Sequence, residues 1–142
     1  MSHYLIPRIV AKFLIPLILI FGFYVQFHGE LSPGGGFQAG VIIGSAFILH
    51  ALIFGLKLTL PIAPLGLLRA LSACGVLCYG GVGLASMLMG GNFLDYGALA
   101  ADPVHGQHLG IAIIEFGVLL TVSSVMILLF FTFTARQPVD NQ

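Results

Sequence analysis

The carboxyl group of Glu115 lies inside an apolar run, about six residues past the start of that run at Leu109, or roughly 9 Å along a helix. An ionised carboxylate at that depth is costly. The group must therefore be neutral, paired or turned toward a polar cavity, and side chains of this kind mark proton and cation pathways. A structural hydrogen bond between subunits is the plainer alternative. His108 precedes Glu115 by seven residues, two helical turns on one face, and His105 lies a further turn out. The three form a ladder from outer water to Glu115, unless the two histidines are merely solvated residues of an interfacial loop. His50 is the other candidate for an ion path, roughly 10 Å along a helix from Lys57 and near the face opposite Glu115. A single satisfied interhelical hydrogen bond accounts for it equally well.

These groups need elements to hold them. Four apolar runs are long enough to cross a bilayer, which takes about 20 residues in a helix: Ile9–Phe27, Phe37–Leu56, Arg69–Met89 and Leu109–Phe133. Helices satisfy their own backbone groups in lipid, and no run alternates as barrel strands do. Composition agrees, with 58% hydrophobic and 7% charged residues in 142, where a soluble domain carries about a quarter charged. The expectation is an all-α integral membrane protein of four transmembrane helices forming one domain over residues 1–142. Arg8 and Lys12 stand before the first span's core, and Lys57 and Arg69 flank the second loop. Arg136 follows the last span, while Glu30, Asp95 and Asp102 occupy the other two loops without a basic residue. By the positive-inside rule both termini are cytoplasmic, in a multi-pass protein of the cell (plasma or inner) membrane. The second loop, Lys57–Leu68, reads as a short cytoplasmic link. The first run is too long for a signal peptide and lacks a small-residue cleavage site.

The densest conformational punctuation is Leu31–Gly40, between the first two spans. Pro33 fixes its own φ, and Gly34, Gly35 and Gly36 can take backbone angles closed to other residues. This is an outward-facing hairpin that continues into the second span. There Gly36, Gly40 and Gly44 put side-chain-free positions on one face, where another backbone can approach. With the small-residue region Gly80–Ala85, that is more packing surface than four helices need. The hairpin, including Gln38, reads as an assembly element, and ion chemistry as belonging to Glu115. Balanced charge, five Lys+Arg against five Asp+Glu, suggests no nucleic-acid partner. Gly34-x-Gly36-x-x-Ala39 fits the dinucleotide fingerprint in letters only, because no strand precedes it. No Cys/His spacing fits a zinc site, and no nucleophile–base pair appears, so no cofactor, metal or catalytic residue is expected. Cys74 and Cys78 share a helical face as small apolar residues. Four helices with one deep carboxyl scarcely enclose a transport path. The leading expectation is a subunit of a larger membrane complex that adds a protonatable group to an ion route. A free-standing transporter and a structural scaffold are the alternatives.

The segment Phe27-His28-Gly29-Glu30-Leu31-Ser32-Pro33-Gly34-Gly35-Gly36-Phe37-Gln38-Ala39-Gly40 resembles the signature of the B subunit (MnhB/MrpB) of Mrp/Mnh-type multisubunit sodium/proton antiporters, an HGHLSPGGGFQGG-like hairpin. Glu30 replaces its second histidine, and Ala39 replaces the first of the two glycines after the glutamine. The stretch Leu109–Val118 with Glu115, followed by Leu120-Thr121-Val122, is similar to the family's final span. The resemblance implies a hetero-oligomeric complex that exchanges cytoplasmic sodium for external protons. In it, the large complex-I-like subunits carry the main proton path, and small subunits such as this one support assembly and line the cation route. The same domain type occurs in ion-pumping membrane-bound hydrogenase complexes, which is the alternative setting the resemblance allows.

Overall fold

A computed structural model describes residues 5–29 and 34–135. They form helices α1 (Leu5–Phe27), α2 (Gly36–Phe54), α3 (Leu56–Thr59), α4 (Leu65–Leu88) and α5 (Pro103–Ala135), with one 3₁₀ turn at Tyr96–Leu99. Among the described residues there is no strand, and α1, α2, α4 and α5 are long and apolar enough to cross a membrane. Three of these helices begin within about four residues of where apolarity alone places them. The fourth does not. α5 starts six residues early and runs for 33 residues, about 50 Å at 1.5 Å per residue, well beyond a hydrocarbon core of about 30 Å. Its extra turns form because Asp102 caps it. The Asp102 carboxylate accepts from the Val104 amide at 3.2 Å, and Pro103 occupies a first-turn position that needs no donor.

α5 is the central helix. α4 packs along one side and α2 along the other, while α1 lies on α2 and touches α5 only lightly. Small residues set each seam, as expected where packing rather than water drives association. α2 runs parallel to α5 in constant register: Gly36 abuts Glu115, Gly40 abuts Leu119 and Val122, and Gly44 abuts Ser123 and Met126. On the other side Gly75 meets the Gly117 carbonyl and Thr121, and Gly106 and Gly110 receive Tyr96 of the 3₁₀ turn. The Gly36/Gly40/Gly44 face is thus consumed within the chain. Gly80 and Gly81 have nothing within 4 Å of the place a Cβ would occupy, so the spare small-residue surface is on α4.

The loop after α2 is more than a link. Gly55, at φ 93°, takes a left-handed conformation that glycine adopts freely, and the chain turns directly into α3. Thr59, Ala63 and Leu68 are buried there, and Ala63 and Leu68 join Ala51, Ile127 and Phe131 in a core that closes this end of the bundle.

Candidate functional site

At the opposite end, Gly29, Gly34, Gly35 and Gly36 form one site with Glu115. Gly35 has φ 115° and ψ −174°, again a region that suits glycine, and it precedes the first residue of α2. A Cβ built on Gly35 would lie 2.8 Å from Glu115 Oε1, and one on Gly29 would lie 3.2 Å from the same atom. One built on Gly36 would collide with the Glu115 main chain, 2.9 Å from its Cα and closer still to its carbonyl oxygen. Three glycines therefore cradle this single glutamate. Gly34 serves the neighbouring contact, since its Cβ would lie 3.1 Å from the Val25 carbonyl near the end of α1. Gln38 sits beside the cradle, its Oε1 4.0 Å from where a Cβ on Gly35 would lie. Pro33 lies outside the described residues.

The electrostatics follow from helix geometry. The first bond of α2 runs from the Ala39 amide to the Gly35 carbonyl at 3.0 Å. The helix itself supplies no acceptor for the Gly36, Phe37 and Gln38 amides. The Glu115 carboxyl thus lies at the positive end of α2, which favours negative charge. It is also level with the hairpin rather than enclosed among four helices. α2 stops at Glu115, whereas α5 continues twelve residues, about 18 Å, past it.

The remaining candidates separate. His108 and His105 are exposed and belong to α5 itself, not to a loop. His108 lies about 10 Å outward of Glu115 along the axis, as two-turn spacing requires. His50 is at the other end of α2, fourteen residues or about 21 Å from Gly36, and is not brought to Glu115. Its Nδ1 is 2.8 Å from Thr59 Oγ1, and the Thr59 hydroxyl donates to the Gly55 carbonyl at 3.0 Å. With that proton committed, His50 Nδ1 is the donor. The ring centroid lies 4.8 Å from that of Phe54, beside a cavity of about 220 Å³ lined by Ile15, Leu19, Ala46, Phe47 and Ile62. Through this hydrogen bond His50 ties α2 to α3.

Two features had gone unmarked in the sequence. Gly29 belongs to the cradle although it precedes the triple glycine. Gln26 is buried in α1, and its Oε1 has no hydrogen-bond partner; as the only amide in the first apolar run, it was there to be read. Among the described residues no cluster of three or more His, Cys, Asp or Glu could hold a metal ion.

Four helices long and apolar enough to cross a membrane, with Gly29, Gly35 and Gly36 closed on a glutamate of the last of them, define a small all-helical protein of the membrane class. The particular family follows from comparison. The model of the domain related to the MnhB subunit of Na⁺/H⁺ antiporters matches residues 6–128, which include both the hairpin and Glu115, and the chain belongs to that family. It is 37% identical over 123 residues to "Putative antiporter subunit mnhB2" of Staphylococcus aureus strain Newman, covering 84% of this chain and 86% of that relative. The same figures hold for the protein of that name in strain COL.

Proposed function

We propose that this chain is one subunit of a hetero-oligomeric monovalent cation/proton antiporter of the cell membrane, with sodium as the cation. In this reading Glu115 contributes to cation or proton passage, and both termini are cytoplasmic. Gly29 and Gly35 against the Glu115 carboxyl, with Gly36 against its main chain, carry the reading. An acid in a membrane-spanning helix is expensive and marks an ion pathway by default. The partners are the other antiporter subunits, protons, sodium ions and the bilayer. Orientation is supported by the charge pattern: Arg8, Lys12, Lys57 and Arg69 all lie toward the α3 end, and Asp95 and Asp102 toward the hairpin end. His108, on the outward extension of α5, is the candidate for delivering protons to Glu115, and His50 is assigned a structural part. Co-purification in mild detergent tests complex membership, since companion antiporter subunits are expected. Sodium-dependent pH changes driven by the purified chain alone would overturn it. Glu115→Gln tests the ion role: the complex assembles but exchanges less.

A further inference from the structure

We infer that Gln26 and Glu115 share an internal water, through which Gln26 positions the carboxyl proton. The inference rests on the proposed part of Glu115 in ion passage. Gln26 is 9% exposed, and its Oε1 is shut from solvent with no donor. Buried amide oxygens in native proteins are satisfied by protein or by an internal water. The position of Gln26 says where that water lies. Gly22, four residues before it, faces Ile43 of α2, with a built Cβ 2.8 Å from Ile43 Cγ1. Gly29, three residues after it, faces the Gly35 Cα at 2.9 Å and Glu115 Oε1 at 3.2 Å. Residues four apart share a helical face, so Gln26 projects into the α1–α2 seam that Gly22 enters, and Gly29, in the turn just after α1, brings the chain against the carboxyl about one turn further on. Val25 beside it packs against Ala39, Ile43 and Leu119, so Gln26 is the polar side chain in an otherwise apolar stretch of that seam.

No direct bond joins Gln26 Oε1 to Glu115, and a single water is able to bridge an amide oxygen and a carboxyl. Such a water donates one hydrogen to Gln26 Oε1. Toward Glu115 it accepts from the neutral carboxyl or donates to the carboxylate, so the same amide serves both states of the acid. An amide does not titrate, which suits a group that must hold its place while its neighbour exchanges a proton.

The test uses the assembled complex carrying Gln26→Met, which keeps volume and removes the acceptor, and Gln26→Asn, which keeps the amide and leaves room for a second water. The readouts are sodium-dependent proton exchange in vesicles and the infrared stretch of the Glu115 carboxyl, identified by its loss in Glu115→Gln. Gln26→Met should lower exchange about tenfold, the loss of one hydrogen bond, and should displace the carboxyl band. Gln26→Asn should restore most of both. An unmoved band in Gln26→Met, or equal damage in Gln26→Met and Gln26→Asn, would overturn the shared water. Normal exchange in Glu115→Gln would defeat the ion role of Glu115 and leave the infrared comparison to decide the water by itself.

Discussion

Gly36 and Gly44 sit on the same stripe of α2, eight residues apart, yet their replacement by alanine should have opposite consequences. A methyl at Gly36 would lie 2.7 Å from the Glu115 carbonyl carbon and 2.9 Å from its Cα, whereas ordinary contact begins at 3.4 Å. The obstacle is main chain, so no rotamer relieves it, and α2 and α5 must part by about half an ångström or more. Overpacking of that kind costs about 1–3 kcal/mol. At Gly44 the new methyl would lie 3.4 Å from Met126 Cβ, which requires no movement. There alanine recovers about 0.5–1 kcal/mol of helix propensity. Circular-dichroism melts of the purified assembly in one detergent should therefore place Gly36→Ala below wild type and Gly44→Ala at or above it. Equal melting of the two variants would refute the register of α2 on α5, and with it the placement of Glu115 against the hairpin.

Thr59→Val is nearly isosteric but removes the acceptor of the partly buried His50 donor, at a cost of about 1 kcal/mol. The melting temperature should fall while sodium-dependent exchange per assembled complex is kept, since His50 is placed about 21 Å from the cradle. Topology is checked with a membrane-impermeant maleimide: Leu58→Cys should react only from the cytoplasmic side, and Asn92→Cys only from outside. Reversed labelling would overturn the orientation drawn from the basic residues.

Much of this architecture is legible in the residues themselves. The four spans follow from apolar length, because lipid forces the backbone to satisfy itself within each helix. Glu115 announces itself by its cost. What cannot be read so directly is register. The spacing of Gly36, Gly40 and Gly44 shows that a backbone comes close, but not that it is α5 of the same chain. The hairpin and Glu115 are 80 residues apart in sequence and look like separate features. Only the parallel pairing of α2 with α5 makes them one site. The extra turns of α5 are hidden for another reason: Pro103 to His108 is polar enough to pass for loop, and the helix there depends on the Asp102 cap and the packing of Tyr96 on Gly106 and Gly110. The fold of Leu56–Leu68 likewise turns on one positive-φ glycine, which composition does not reveal.

The most direct test is sodium-dependent proton exchange in membrane vesicles whose complex carries Glu115→Gln, with all subunits shown to be present at wild-type ratios and Glu115→Asp measured beside it. Exchange should fall sharply in Glu115→Gln and return in part with Glu115→Asp, which keeps an acid in the glycine cradle. Wild-type exchange by a fully assembled Glu115→Gln complex would contradict the central claim and leave Glu115 a packing residue.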